Sequence, residues 1–197
     1  MCQDGPKARA IAELGTASDV GKSPVAAGLC RLLADAGLDV APFKAQNMAS
    51  QAGVTADGLE MPRAQILQAA ACRQESHVDM GPVLLKPVSQ TGAQVVVLGR
   101  ALGVQEARDC CQGRSPCRDL ALAAPGRLTS RHQVIVLEGA GSPVELNLMA
   151  RGFVNPVPAR ALGAAIVLVA DIERGGVFAQ VTGTLAPLLA EPDLTCT

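Results

Sequence analysis

The sequence predicts an α/β fold, a three-layer domain in which helices cover both faces of a mostly parallel central sheet. Two short apolar runs, residues 134–137 and 165–170, are rich in Val, Ile and Leu, as is typical of strands buried on both faces. Strands expected around residues 8–14 and 39–43 alternate with helical patterns. In such sheets ligands bind at the carboxyl ends of the strands, so we expect the functional residues there.

A glycine-rich stretch, GTASDVGKS, lies between the first predicted strand and a helical pattern. Backbone N–H groups of such a loop, together with the helix N-terminus behind it, bind phosphate. Five residues separate Gly15 from Gly21, one more than in the ordinary motif G-x-x-x-x-G-K-[ST], which indicates a subclass of P-loop. The stretch predicts a P-loop NTPase-like domain that binds a nucleoside triphosphate with Mg²⁺ through Gly15, Thr16, Ser18, Asp19, Val20, Gly21, Lys22 and Ser23.

Charged residues at the ends of other predicted strands are candidates for the same site. Glu138, in VIVLEGAG, can supply a Mg²⁺ ligand beside the Ser23 hydroxyl, and Asp57, in VTADG, is a candidate third ligand. Lys22 can lie along the β- and γ-phosphates, and Lys44 can neutralise charge on a transferring phosphoryl group. Spacing alone leaves open that Glu138 is a solvated acid at a turn and that Lys44 is an ordinary surface lysine.

The remaining elements are predicted from periodicity. The helix after the P-loop places Val25, Leu29, Leu32 and Leu33 on one face, which we expect to be buried. Pro62 can open a second helix, and residues 83–86 and 94–98 are extended segments. Residues 99–131 show no clear period, so we expect an irregular connection there with at most a short helix around Leu120.

Composition excludes several classes of function. The chain has 197 residues, 49% of them hydrophobic, which suits a single domain. A net charge of −1 with scattered basic residues gives no electrostatic footprint for nucleic acid. The sequence contains neither an apolar run long enough to span a membrane nor a signal segment, so we expect a cytoplasmic protein. The seven cysteines are odd in number and lack C-x-x-C spacing, which favours reduced thiols over disulfides or a metal site.

Seven segments, taken in order, resemble the N-terminal ATP-binding domain of the cobyric acid synthase family. They are GTASDVGKS, APFKAQNM, VTADG, RAQILQAAA, PVLLKPVSQTGAQVVVLGR, VIVLEGAGSPVELNL and VADIERGGVFAQVTGTL. The combination of FKAQNM, EGAGSPVELNL and DIERGGVFA is the most specific part of the resemblance. Dethiobiotin synthetase, whose P-loop has the same longer spacing, and the cobyrinic acid diamide synthases are wider relatives.

The resemblance implies an ATP-dependent ligase of cobalamin biosynthesis. Such enzymes amidate corrin side-chain carboxylates, converting adenosylcobyrinic acid a,c-diamide to cobyric acid through an acyl phosphate, with ammonia from glutamine. It implies ATP and Mg²⁺ as cofactors, with Lys22 and Lys44 catalytic and Ser23, Asp57 and Glu138 serving the metal. Substrate-side roles fall to three further residues, Gln46, Asn47 and Lys86.

The chain departs from the family in length, because a C-terminal glutaminase domain normally follows the synthetase domain. We therefore expect residues 1–197 to form a single synthetase domain that takes free ammonia or depends on a separate glutaminase, and a second copy of the chain, in a homo-oligomer, is a candidate partner. Two alternatives stay open: a dethiobiotin-synthetase-like ligase and a catalytically inactive nucleotide-binding remnant. A switch of the partitioning-ATPase type is disfavoured, because residues 16–18 offer no extra lysine.

Overall fold

The fold is described from a computed structural model, in residues 8–89, 92–106, 116–144 and 155–189. Along this part of the chain, α-helices separate groups of one to four strands, which gives an α/β fold. The strands are β1 (Arg9–Gly15), β2 (Val40–Phe43), β3 (Gln46–Met48), β4 (Ala52–Val54), β5 (Glu60–Pro62), β6 (Val83–Pro87), β7 (Gly92–Val97), β8 (Arg100–Glu106), β9 (Val134–Glu138) and β10 (Ala165–Val169). The helices are α1 (Lys22–Asp35), α2 (Arg63–Ala71), α3 (Pro116–Thr129), α4 (Pro156–Leu162) and α5 (Val177–Leu189).

The main sheet is parallel and has the strand order β10-β1-β9-β2 in the described residues. Its parallel register brings the carboxyl ends of β1, β2 and β9 to one edge, although these strands are far apart in sequence. Beyond that edge the chain stays tied to the sheet: the Thr16 N–H donates to the Val169 carbonyl at 2.9 Å, and the Gly139 N–H donates to the Glu13 carbonyl at 2.8 Å. The predicted mostly parallel central sheet is confirmed.

Helices cover both faces of the main sheet, which gives the predicted three layers. On one face Ala26 and Cys30 of α1 pack against Val40, Val134 and Val136. On the other face, α3 and α4 pack against alternate residues of the same strands. That second core includes Ala12, Leu14, Ile135, Leu137, Ala121, Ala124, Leu128 and Ala159.

The buried face of α1 differs from the predicted one. Ala26 and Cys30 are fully buried, whereas Leu32 is 69% exposed and Val25 is 41% exposed. Leu29 and Leu33 pack at the margin of this core. Small side chains let the helix lie close to the sheet, and the apolar period alone does not show that the closest contacts go to Ala and Cys.

A second, mixed sheet has the order β3-β6-β7-β8, with β3 parallel to β6 and the other pairs antiparallel. The two predicted extended segments correspond to β6 and β7. The expected irregular connection over residues 99–131 was wrong where the structure describes it, because β8 and the 14-residue helix α3 lie there. Pro125 inside α3 hides its pattern, yet Cys117, Ala121, Ala124 and Leu128 form one buried face at helical spacing. Residues 107–115 lie outside the described residues.

One buried charge-bearing pair stands out within the main sheet. Glu13 of β1 and Glu138 of β9 are register partners on adjacent parallel strands, and both are almost completely buried. Both carboxyl oxygens of Glu13 lack a hydrogen-bond partner. Burial, reinforced by the charge of Glu138, raises the pKa of Glu13 from 4.5 to about 8, against the opposing effect of Lys22 and Lys44. The Glu13 carboxyl is therefore largely protonated at neutral pH.

We predict that Glu13→Gln raises the free energy of unfolding of the nucleotide-free protein, and that the gain grows as the pH rises from 4.5 towards 8. In this window the folded wild type holds a proton that the unfolded chain has lost, since the folded-state pKa is the higher one. Wild-type stability then falls with pH, by at most about 1.4 kcal/mol per pH unit. Glutamine has the shape of the neutral acid and does not titrate, so the free energy of unfolding of the variant lacks this pH dependence.

Denaturant unfolding of both proteins at the two ends of this pH window measures the difference. The matched control is Glu173→Gln, because Glu173 is an exposed acid outside the sheet. Equal stability of wild type and Glu13→Gln across the window would contradict the protonated state of Glu13.

Candidate nucleotide and metal site

The loop between β1 and α1 is folded around the side chain of Lys22. The Lys22 ammonium donates to the Ala17 carbonyl at 2.7 Å and is almost completely buried. A Cβ atom on Gly15 would lie 2.7 Å from Lys22 Nζ and 2.8 Å from the Val20 side chain. Only glycine fits there, because the backbone passes too close to the lysine for any side chain. The loop thus has the geometry of a phosphate cradle with a lysine inside it.

The other predicted loop residues take distinct positions. Thr16 is buried and donates through its hydroxyl to Gln180 Oε1 of α5 at 3.3 Å. Ser18 and Asp19 are exposed at the tip, where Asp19 adopts a positive φ of 57°. Gly21 is the N-terminal cap of α1. The predicted phosphate-binding residues therefore form one continuous loop.

Burial and the nearby ammonium of Lys44 lower the pKa of Lys22, while Glu138, Glu13 and Asp19 oppose that shift. Two ammonium groups that are held close together in a desolvated loop repel each other. An anion bound in the loop would offset both causes. The electrostatics of the site thus favour a negatively charged ligand.

Glu138 is the centre of the site. Its Oε1 atom accepts hydrogen bonds from the Ser23 hydroxyl at 2.7 Å and from the Lys44 ammonium at 2.6 Å. Its Oε2 atom accepts from Gln68 Nε2 at 2.6 Å. Only 1% of the residue is exposed, so these donors replace the water that an ionised carboxylate would otherwise keep. The structure brings together Ser23, Lys44 and Glu138, as the sequence predicts.

The oxygen atoms at this centre fit a magnesium ion. Mg²⁺ binds oxygen ligands and, in phosphate-binding sites, usually takes one or two from the protein and the rest from phosphates and water. The Ser23 hydroxyl and the Glu138 carboxylate, in contact beside the P-loop, match that donor set. Among the described residues no group of three or more His, Cys, Asp or Glu side chains forms a metal cage.

Asp57, the third predicted metal residue, lies in the turn between β4 and β5. It is exposed at the tip of the β4–β5 hairpin, where its carboxylate accepts a hydrogen bond from the Thr55 hydroxyl. It lines a cavity of about 320 Å³ together with His77, Arg131 and His132, and neither Ser23 nor Glu138 lines that cavity. The tight hairpin turn, closed by the Gly58 N–H on the Thr55 carbonyl at 3.0 Å, holds Asp57 in this position. The role of Asp57 as a third metal ligand stays a prediction.

The three predicted substrate-side residues lie on the second sheet. Gln46 and Asn47 belong to β3, which pairs with β6, the strand that carries Lys86. Lys86 forms an ion pair with Glu60 of β5. Asn47 lines an open cleft of about 530 Å³ between the end of β3 and α2, and it donates to Gln65 Oε1 at 3.2 Å. Asn47 is connected to the Glu138 centre through the glutamines of α2.

Sequence reasoning missed several residues of the site. Gln65 and Gln68 are buried on α2, and their signal was two glutamines three residues apart in the apolar segment RAQILQAAA. Asn155 holds the loop after β9, since its side chain accepts from the Ala140 N–H and donates to the Ala140 carbonyl, both at 2.7 Å. No spacing in the sequence predicts that bridge. A Cβ on Gly139 would lie 2.5 Å from Asn155 Oδ1, so this contact requires glycine.

Asp171, the acid after β10, is not part of the Glu138 centre in this structure. Its carboxylate accepts from the Glu173 N–H at 2.8 Å and lies 3.6 Å from Arg174. The loop after β10 is thus stabilised locally.

Among the described residues, every helix is too short or too polar to cross a bilayer.

Comparison with known proteins agrees with this architecture. Over 181 residues the chain is 56% identical to the cobyric acid synthase of Chlorobaculum tepidum, an alignment that covers 92% of this chain and 36% of that protein. It is also 56% identical to the cobyric acid synthase of Chlorobium phaeobacteroides strain BS1 and 50% identical to that of Jannaschia sp., in each case over 93% of this chain. The chain spans less than two fifths of the length of these relatives.

A solved structure shows the same kind of fold. The signal recognition particle receptor FtsY from Elizabethkingia anophelis superposes with a TM-score of 0.54 at 16% identity, covering 98% of this chain and 51% of that one. At that identity the likeness concerns the fold alone. Residues 11–195 match the family described as the CobQ/CobB/MinD/ParA nucleotide binding domain. The chain is therefore a member of this nucleotide-binding family and a homologue of the cobyric acid synthases.

Proposed function

We propose that this chain is the ATP-dependent amide ligase domain of a cobyric acid synthase and acts on the side-chain carboxylates of a corrin. The observation that carries the proposal is the convergence of Ser23 and Lys44 on buried Glu138, directly beside Lys22 of the P-loop. The homology to cobyric acid synthases supplies the class of substrate. ATP and Mg²⁺ are the cofactors, and cobyric acid is the product.

The chemistry follows from the weakness of a carboxylate as an electrophile. One carboxylate oxygen of the corrin attacks the γ-phosphorus of ATP, ADP leaves, and an acyl phosphate forms. Ammonia then attacks the acyl carbon, inorganic phosphate leaves with the bonding electron pair, and the nitrogen loses a proton. Lys22 holds the β- and γ-phosphates, and Lys44 lies where it can offset negative charge on the transferring group. When bound, Mg²⁺ adds charge neutralisation at the phosphate oxygens.

The substrate side of the proposal rests on the second sheet. Asn47 lines the cleft beside α2, and exposed Arg63 at the start of that helix supplies a cation at its edge. A cation and an amide suit a substrate that carries several carboxylates. Gln46 and Lys86, on the paired strands β3 and β6, are proposed to extend this surface.

Ammonia is proposed to enter free or from a separate glutaminase. A cytoplasmic location belongs to the same proposal, because the reaction consumes ATP and because Cys30, Cys72 and Cys117 are free thiols. Running the assay below at several protein concentrations tests whether a second copy of the chain contributes to the site.

The direct test incubates the purified chain with Mg·ATP, adenosylcobyrinic acid a,c-diamide and ammonium chloride, and follows ADP release and the corrin mass. Each amidation should lower the mass by the difference between a hydroxyl and an amino group. ATP binding without any corrin change would refute the proposal and favour an inactive nucleotide-binding domain. Turnover of a small diamine in place of the corrin would favour a dethiobiotin-synthetase-like ligase.

We predict that Lys22→Ala lowers the rate of ATP-dependent amidation by roughly a hundredfold or more, because the phosphates lose the cation inside the loop. The rate of ADP release measures the effect, and an unchanged circular dichroism spectrum shows that the variant is folded. Wild-type turnover by the folded variant would contradict the assignment of the P-loop.

We predict that Glu138→Gln raises the Mg²⁺ concentration needed for half-maximal activity by roughly tenfold or abolishes activity, since an amide is a far weaker metal ligand than a carboxylate. A Mg²⁺ titration at fixed ATP concentration measures the change. The matched control is Glu173→Gln, which removes an exposed acid outside the site. Identical metal dependence in Glu138→Gln and wild type would remove Glu138 from the metal site.

A further inference from the structure

A chain of three side-chain amides, two of them buried, connects the cleft beside β3 to the Glu138 carboxylate. Asn47 Nδ2 donates to Gln65 Oε1 at 3.2 Å, and Gln65 Nε2 donates to Gln68 Oε1 at 3.3 Å. Gln68 Nε2 then donates to Glu138 Oε2 at 2.6 Å. We call Asn47, Gln65 and Gln68 the amide chain. Gln65 and Gln68 each accept from the amide before them and donate to the group after them, and Asn47 donates at the start, so all three dipoles have the same sense.

The burial of this chain sets its strength. Gln65 is completely buried, and Gln68 and Glu138 are each 1% exposed. In such surroundings hydrogen bonds that share donors and acceptors polarise one another, and the bond to a charged carboxylate is the strongest of them. The aligned amides place positive ends towards Glu138. A buried polar group that loses its partner costs more than a solvent-exposed one, which fixes the orientation of each amide.

Gln68 also connects two structural elements. Its Nε2 atom lies 3.4 Å from the carbonyl oxygen of Ser23, in the first turn of α1. One side chain on α2 therefore contacts both protein groups that fit the metal, the carboxylate of Glu138 and the residue that supplies the hydroxyl. The α1 and α2 helices pack against each other along this line.

We propose that Gln68 is a positioning residue that orients the Glu138 carboxylate for Mg²⁺, and that the amide chain couples this orientation to Asn47 in the cleft. Lys44 and Ser23 hold Oε1, and Gln68 holds Oε2, so the carboxylate plane is fixed from both sides. Without Gln68, the Oε2 atom would lose its buried donor and the plane could rotate. The link to the cleft rests on the proposed function, because it assumes that the cleft takes the carboxylate substrate.

The test measures ATP binding by calorimetry, once with Mg²⁺ and once with EDTA, in the full chain. The dissociation constant in EDTA divided by the dissociation constant in Mg²⁺ gives the contribution of the metal to ATP affinity. Gln68→Met keeps the length and volume of the side chain and removes the donor. We predict that it lowers this ratio by roughly tenfold, the usual effect of losing a group that orients a metal ligand, while the dissociation constant in EDTA stays the same.

The matched control is Gln74→Met. Gln74 follows the same helix and donates to Asp39 Oδ1 at 2.7 Å, so it makes a comparable amide–carboxylate bond away from Glu138. This variant should leave the ratio unchanged. If Gln68→Met loses affinity for ATP equally in Mg²⁺ and in EDTA, the residue has a purely structural role. If neither affinity changes, it has no role in the site. Either result leaves the ratio unchanged and would overturn the proposal.

Asn47→Ala tests the coupling at a half-exposed position, where folding is not at risk. It should lower the metal ratio by itself and have no further effect in a Gln68→Met background, since both act through one carboxylate. Additive effects of the two substitutions would refute the coupling. If Gln68→Met does not fold, Gln65→Met replaces it in the same comparison of single and double variants with Asn47→Ala.

These experiments use no corrin, so their outcome is independent of the ligase proposal. A wild-type chain that binds Mg·ATP without amidating a corrin would refute the proposed function. The calorimetric experiment would still test the role of the amide chain. A wild-type chain whose affinity for ATP does not depend on Mg²⁺ would overturn the role of Gln68.

Discussion

The structure of the site depends on the burial of one carboxylate. An ionised Glu138 without partners would cost far more free energy than a domain of this size has to spare. It is accommodated because the first turn of α1, the end of β2 and the buried face of α2 each bring a donor to it. The same three contacts fix the relative positions of the P-loop, the main sheet and the second helix. Charge compensation and active-site geometry are therefore one requirement on the fold.

Glu13 shows what happens where such compensation is missing. It lies beside Glu138 in the sheet, equally buried, but its oxygens have no hydrogen-bond donor, and its pKa rises to about 8. Two adjacent buried carboxyls cannot both ionise cheaply, and Glu13, the one without donors, keeps its proton. The asymmetry gives the site one defined negative charge in place of a repelling pair.

The sequence predicted the parts of the site that obey local rules. The P-loop, the strand ends at Lys44 and Glu138 and the layer architecture all follow from spacing, apolar runs and the geometry of parallel sheets. Asp57 was grouped with them by motif, and its role at the metal stays a prediction, because its position depends on turn hydrogen bonds that a motif does not contain. Gln65, Gln68 and Asn155 were missed because burial of a polar side chain is decided by neighbours from distant segments.

The surroundings of the site disfavour the charged forms of two of its side chains, and this affects how the site binds an anionic ligand. The pKa of Lys22 is lowered and that of Glu13 is raised, so each of these groups is displaced towards its neutral form. A triphosphate that enters the loop offsets the repulsion between Lys22 and Lys44 and the desolvation of the Lys22 ammonium. Part of the attraction for the ligand is thus stored in the loop as unfavourable electrostatics, which the fold tolerates because Glu138 anchors Lys44 and Ser23.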